Sequence, residues 1–266
     1  MRATAAAPLL AAAFAVSAEV NHVLGEREGL QVHVGAENWA WDETKEDGTH
    51  YVGENGNGVT RLGLSYTFSV HDPKVLHSIG LVASIGTITY EGAYLGGGAV
   101  TSTTRWDSAR LNYDRIAPFA GTALDWVAGV SVEKRNRNIR NPAGARYQKE
   151  VFLGGMARLG IQSQRPAQTG WFGGVGVNMT LSTTEDPHSK DLGFAERVTL
   201  SPGNNTGYQW HFGYAFTRQT ALELHQEMLR WKMSDKANVS NATSAGQIWQ
   251  PASELTRTSL RLTHKF

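Results

Sequence analysis

From residue 30 onward, apolar and polar residues alternate along most of the chain, with little helical periodicity. A period of two places successive side chains on opposite faces of an extended strand. Leu30, Val32, Val34 and Ala36 oppose Gln31, His33, Gly35 and Glu37, and Leu62, Leu64, Tyr66 and Phe68 oppose Arg61, Gly63, Ser65 and Thr67. The same rhythm recurs at Ile79–Gly86, Ser108–Tyr113, Leu124–Glu133, Glu150–Gln162, Trp171–Ser182, Tyr208–Thr217, Leu222–Met228 and Arg257–Phe266. These segments predict ten strands and no helix, with one face of each strand polar and glycine-rich.

The connections differ in length. Those at 42–57, 91–103, 135–147, 183–206 and 233–252 read as long and polar; those at 71–77, 115–121, 163–169 and 218–219 read as short. Residues 192–207 leave room for an extra short strand or a bulge. Long and short connections at opposite ends, with an even strand count, are the pattern of membrane barrels. Alternation alone is equally compatible with a soluble barrel that buries its apolar face.

Three features favour the membrane. Residues 1–18 have the form of an export signal: Arg2, an uncharged run from Ala3 to Val16, then the small residues Ser17 and Ala18. Cleavage after Ala18 would leave 19–266 as a single barrel domain, and the apolar run is short of the ~20 residues of a spanning helix. Aromatic residues (Trp39, Trp41, Trp106, Tyr147, Trp171, Tyr208, Trp231) fall near strand ends, where a membrane–water boundary would place them. The chain ends in an alternating strand, Leu260 to Phe266.

That last strand resembles the C-terminal strand of bacterial outer-membrane β-barrel proteins, in which a terminal aromatic marks the chain for insertion; His264 stands where another apolar residue is expected. Val59–Phe68, Tyr90–Thr104 and Thr199–Phe216 also look like segments of small proteobacterial barrels. The resemblance implies an all-β transmembrane antiparallel up-and-down barrel of about ten strands, with about 8 to 12 possible. It further implies the outer membrane of a Gram-negative bacterium, with membrane lipid, lipopolysaccharide and, through Phe266, the barrel-assembly machinery as partners. A monomer is expected.

Composition narrows the functional classes. With no cysteine, disulfide scaffolds, thiol nucleophiles and cysteine-ligated metal clusters are excluded. A net charge of +1 offers no basic stripe for nucleic acid. The negative mean hydropathy reads as a soluble protein until the order of residues is considered. The polar faces carry Glu37, Asp125, Glu133, Glu150, Glu223 and Glu227 against Arg61, Arg110, Arg158, Arg257, Arg261 and Lys265. Balanced charge inside a narrow barrel predicts a compensated network that fills the lumen, since an unpaired buried charge is costly. The 29 glycines would leave room for the long arginines.

Glu223, His225 and Glu227 share a face, and a tight turn after Thr217 would bring His211 beside His225. Such a group has the residue types of a metal site, but a hydrogen-bonded lumen patch is the simpler reading, and neither metal nor cofactor is expected. The sequons at Asn178, Asn204, Asn238 and Asn241 read as chance, with Asn178 in mid-strand.

The ten-strand count also resembles the omptin proteases, which use paired acids and an Asp–His couple around an activated water. Asp186-Pro-His188 has that spacing in the fourth long connection. The matching acid pair is missing: the second connection holds only Glu91, with Asp107 near its end. An enzyme is therefore not expected. The expected role is structural or surface-interactive, through external loops such as Asp42–Gly56 and the basic segment carrying Lys134, Arg135, Arg137, Arg140 and Arg146, which could face lipopolysaccharide. A narrow passive channel for small solutes is the alternative.

Overall fold

The computed structural model describes residues 27–93, 98–142, 146–164, 169–195, 197–241, 243 and 245–266; the expected export signal lies outside them. The strands are β1 (Gly29–Thr44), β2 (His50–Ser69), β3 (Leu76–Ala93), β4 (Ala99–Pro118), β5 (Leu124–Arg140), β6 (Arg146–Ser163), β7 (Gly170–Asp186), β8 (Gly203–Asn204), β9 (Thr206–Ala215), β10 (Thr220–Lys232), β11 (Ala237–Ser240), β12 (Ala245–Ile248) and β13 (Ala252–Lys265). Ten of them, β1–β7, β9, β10 and β13, pair antiparallel in sequence order, and β13 closes the sheet on β1. Closure removes the exposed edges that an open sheet would carry. The two-residue β8 extends the sheet beside Trp231 and Lys232, within the region where an extra short strand was expected. The β11–β12 hairpin stands apart from the barrel sheet, in the last connection.

Three of the expected long connections are strand. Only residues 45–49, 94–98 and 141–145 separate β1 from β2, β3 from β4 and β5 from β6, so the length asymmetry rests on 187–205 and 233–251. The physical reason is that these polar stretches also alternate, with a different residue set on each face.

The alternation in fact changes phase along the strands. In β5 the outward residues are Trp126, Ala128, Val130 and Val132 toward the end where β1 begins and β13 finishes, then Lys134, Asn136, Asn138 and Arg140. In β4 they run from Tyr113, Leu111 and Ala109 to Asp107, Arg105, Thr103 and Thr101. In β1, Leu30, Val32 and Val34 are exposed, whereas Trp39 and Trp41 are buried inside. One storey of the barrel is therefore apolar outside and polar inside, and the next is polar outside and apolar inside. At about 3.3 Å per residue and a ~40° tilt, a strand of the length of β2 rises about 50 Å, twice the ~25 Å apolar band of a membrane barrel. The apolar outer belt covers the half near the termini; the other half extends beyond it.

This overturns the aromatic-girdle expectation for four residues. Trp39, Trp41, Trp106 and Trp231 point into the barrel, because each shares its strand face with a lumen acid or base. Trp171 and Tyr208 do lie on the outer surface, with Trp171 stacked on Phe212 at 4.8 Å. The Tyr147 side chain lies outside the described set. The basic-loop expectation fails for two of its residues: Arg135 and Arg137 continue the inward phase of Glu133 and are buried, leaving Lys134 and Arg140 outward, and the Arg146 side chain lies outside the described set.

Candidate functional site

The interior is filled in layers. Nearest the termini, a chamber of about 280 Å³ is bordered by Arg158, His211, Glu223, His225 and Arg261. The β9–β10 register sets His211 directly opposite His225, and the β10–β13 register sets Glu223 opposite Arg261, whose Nη1 donates to Glu223 Oε1 at 3.2 Å. Among the described residues, no three His, Asp or Glu side chains group as a metal site would require. Arg158 reaches two strands across to Asp114 (Nε to Oδ1, 2.6 Å) over Gly129, which lies between them in register. A Cβ at Gly129 would collide with that carboxylate. Asp125 accepts hydrogen bonds from Arg27 and, at 3.0 Å, from Gln164.

The next layer holds a closed ring of ion pairs, Arg110–Glu133–Arg257–Glu227, and beside it the pair Arg61–Glu37. Arg110 donates twice to Glu227, both at 2.7 Å, and once to Glu133 at 3.1 Å; Arg257 Nη2 donates to Glu133 Oε1 at 2.7 Å. Arg61 Nη1 donates to Glu37 Oε1 at 2.9 Å, and Ser84 and Trp39 complete the shell of Glu37. The pairs Arg110–Glu133 and Glu227–Arg257 are directly opposite across neighbouring strands. Such pairs form wherever inward positions of opposite charge share a register.

Above the network lies an aromatic layer. Trp106 sits 5.4 Å from both Trp39 and Trp41, and Trp41 packs 5.5 Å from Phe152 and 5.8 Å from Trp231. Val59, Ile88, Met156, Leu229 and Leu255 fill the remaining space. The Arg135 guanidinium lies 4.3 Å from the Trp231 ring and 5.2 Å from Phe152, an arrangement favoured by the ring quadrupole.

The outer mouth follows. Arg137, fully buried, donates to Glu43 at 2.7 Å, Glu54 at 2.9 Å and Glu150 at 2.7 Å, so one guanidinium serves three carboxylates from three other strands. Glu54 also accepts from Thr104 and Trp106, and Glu43 from Trp41 and Gln250. Glu185, 1% exposed on β7, has a carboxylate oxygen with no hydrogen-bond partner among the described residues. Glu43, Arg137, Glu150, Glu185 and Gln250 border a cavity of about 450 Å³ whose other walls include Val52, Tyr90, Ile139 and Trp249.

Every lumen residue expected from the sequence faces the interior or its rim, but Glu43, Glu54, Arg135, Arg137 and Glu185 were missed. The missing signal was available: residues 39, 41 and 43 continue the phase of Glu37, and 135 and 137 that of Glu133.

Asp186 and His188 are adjacent but engaged. Asp186 accepts two hydrogen bonds from Arg197, one at 2.7 Å, and one from the His188 backbone N–H at 3.0 Å. His188 Nε2 lies 3.8 Å from Asp186 Oδ2, and its backbone is left-handed at φ 43°. Partial burial pushes the Asp186 carboxyl up, yet the hydrogen bonds from Arg197 and His188 outweigh this and hold it below the ordinary aspartate value.

No family model matches the chain, and no curated protein matches its sequence. Solved structures do match. The outer-membrane protease OmpT of Escherichia coli aligns over 94% of this chain and 100% of its own, with 9% identity and a TM-score of 0.50. An outer-membrane channel of Pseudomonas putida aligns over 90% and 96%, with 10% identity and a TM-score of 0.42. The translocator domain of the autotransporter NalP of Neisseria meningitidis aligns over 98% and 95%, with 11% identity and a TM-score of 0.41. At these identities the likeness concerns fold. The chain is a closed, ten-stranded antiparallel β-barrel with the fold of bacterial outer-membrane barrels.

Proposed function

We propose that the protein resides in the bacterial outer membrane as a closed, non-conducting barrel whose outer end is a surface-interaction site. The observation that carries this reading is the stack of two filled layers across the lumen, the Arg110–Glu133–Glu227–Arg257 network and the aromatic layer above it. A diffusing solute would have to part both, and separating a buried ion pair exposes uncompensated charge. The outward Arg105 and Lys134, on neighbouring strands just past the apolar belt, stand at headgroup level and suit contact with lipopolysaccharide phosphates. The strand that carries Phe266 engages the assembly machinery, and the barrel acts as a monomer. No catalytic role is part of this reading: the Asp186 carboxylate is held by Arg197 and is not free to orient His188 as a base.

Purified, refolded protein added to a planar bilayer is expected to give no steps of current under voltage. Steady unitary conductance would replace this reading with the narrow-channel one. On a gel, the folded barrel is expected to migrate faster unboiled than boiled; a single mobility with solubility in the absence of detergent would overturn the membrane assignment.

A further inference from the structure

We propose that the outer mouth binds a protonated amine or guanidinium carried on an apolar stem. This rests on the reading of the outer end as the working surface, and names the chemistry of what it takes. The first observation is a local charge imbalance. Glu43, Glu150 and Glu185 line the cavity from three strands, with Glu54 behind them on Arg137; among the described residues only Arg137 forms ion pairs with these four acids, and the other lining cation, Lys45, lies over the Tyr51 ring at the rim. Arg137 is shared by Glu43, Glu54 and Glu150, and Arg135 below is turned toward Glu133 and the aromatic rings.

The second observation is independent of the count. Glu185 is buried at the cavity wall with an oxygen that no donor among the described residues reaches. Leaving a buried acceptor unsatisfied is unfavourable by about 1–3 kcal/mol, more if it is charged. A cationic donor inside the cavity would complete it.

The third is the shape and lining. About 450 Å³ is far more than an inorganic ion needs and suits a small organic molecule or a single long side chain. Val52, Tyr90, Ile139, Ile248 and Trp249 supply apolar walls for a stem. The rim rings already take ammonium groups from the chain itself: Lys236 lies 5.3 Å from Trp249 and Lys45 lies 5.4 Å from Tyr51. Among the described residues no metal-type grouping occurs here, which leaves the organic cation as the fitting class.

The protonation of the site agrees with that geometry. This storey lies beyond the apolar belt. Burial, followed by the Glu150 and Glu43 carboxylates, pushes Glu185 well above the ordinary glutamate value. Burial also pushes Glu150 up to about 7 despite Arg137. Facing this pair are Glu43 from β1, Glu54 from β2, Tyr90 from β3, Arg135 and Arg137 from β5, with Lys45 and Asp186 at the rim. A bound cation favours the carboxylate forms, so affinity should rise with pH through this range.

The test is calorimetric titration of the folded barrel in lipid nanodiscs with benzylamine and its neutral isostere benzyl alcohol, empty nanodiscs serving as the blank. A parallel arm uses N-acetyl-arginine amide, so that a free amine and a peptide side chain are told apart. Benzylamine or the arginine amide is expected to bind, with benzyl alcohol about tenfold or more weaker. Glu185→Gln is expected to lose about tenfold, while Asp72→Asn, in a turn at the opposite end, binds as wild type. Equal binding of amine and alcohol, no binding of either cation, or unchanged affinity in Glu185→Gln overturns the proposal. Should that variant fail to refold, wild type decides: affinity for benzylamine rises between about pH 6 and about pH 8 if the proposal holds, and a flat profile overturns it. Conductance is read separately, so a conducting barrel that binds benzylamine refutes only the closed-barrel reading. A silent barrel that binds neither cation refutes only this site.

Discussion

Arg137 is the electrostatic hub of the outer mouth. Its guanidinium contacts Glu43, Glu54 and Glu150, which come from β1, β2 and β6. Removing it leaves three buried carboxylates without their shared cation. Arg137→Ala is therefore expected to destabilise the barrel by about 3–5 kcal/mol in urea unfolding, and by less as pH falls and the orphaned acids take up protons. A change indistinguishable from that of an exposed arginine such as Arg105→Ala would refute the shared-cation description. At the rim, Asp186 behaves oppositely to Glu185, because Arg197 supplies it with donors. Its folded-state value lies below the unfolded one. The stabilisation is therefore present above the unfolded value and lost as pH falls through the folded one. With Arg197 72% exposed, screening limits the effect to about 0–1 kcal/mol. Comparing acid unfolding of wild type and Arg197→Ala checks this: the variant should lose stability at neutral pH and converge with wild type in strong acid.

At the scale of the strand, the glycines are where backbone and charge meet. Gly129 on β5 lies between Asp114 on β4 and Arg158 on β6, and its missing Cβ is what lets those two side chains touch across it. Gly129→Val should break that pair and overfill the chamber, an expected loss of about 1–3 kcal/mol, measured as a lower urea midpoint. Stability equal to wild type would mean that the pair does not depend on the glycine. The turn between β9 and β10 shows the same economy of means. Thr217 Oγ1 accepts from the backbone N–H groups of Gln219 and Thr220 at 3.1 and 2.9 Å, closing a tight reversal. That reversal sets the register that places His211 opposite His225.

At the scale of the molecule, the barrel is two environments joined end to end. Outward side chains are apolar near the termini and polar beyond, while the interior changes in the opposite sense. The change in solvent along one sheet accounts for both: hydrocarbon outside requires an apolar belt, whereas water outside allows the interior to become the apolar core. The two halves should then answer differently to the same substitution. Leu111→Arg, in the belt, is expected to destabilise folding into bilayers by about 2–4 kcal/mol, and Thr103→Arg, on the same face of the same strand past the belt, by about 0–1. Equal penalties would refute the placement of the boundary. The Trp39, Trp41, Trp106 and Trp231 cluster thus belongs to the core of the protruding half and not to a membrane girdle.

Much of this was legible one strand at a time. Period two is a local property, so the ten strands, the two faces and the membership of Glu37, Arg61, Arg110, Glu133, Glu227 and Arg257 in one interior set follow from the order of residues. Even the inward position of Trp39 and Arg137 was written in phase with Glu37 and Glu133. What the order could not reveal was the solvent at a given height, so polar alternation past the belt read as loop. Nor could it reveal which charges meet. Arg137 gathers partners from three other strands, and the β6–β7 pairing shifts by one residue between Gly155 and Met156, which helps set the phase that turns Glu185 inward. Alternation is decided by neighbours along the chain; convergence at one height requires closure and inter-strand register, which exist only once the barrel has formed.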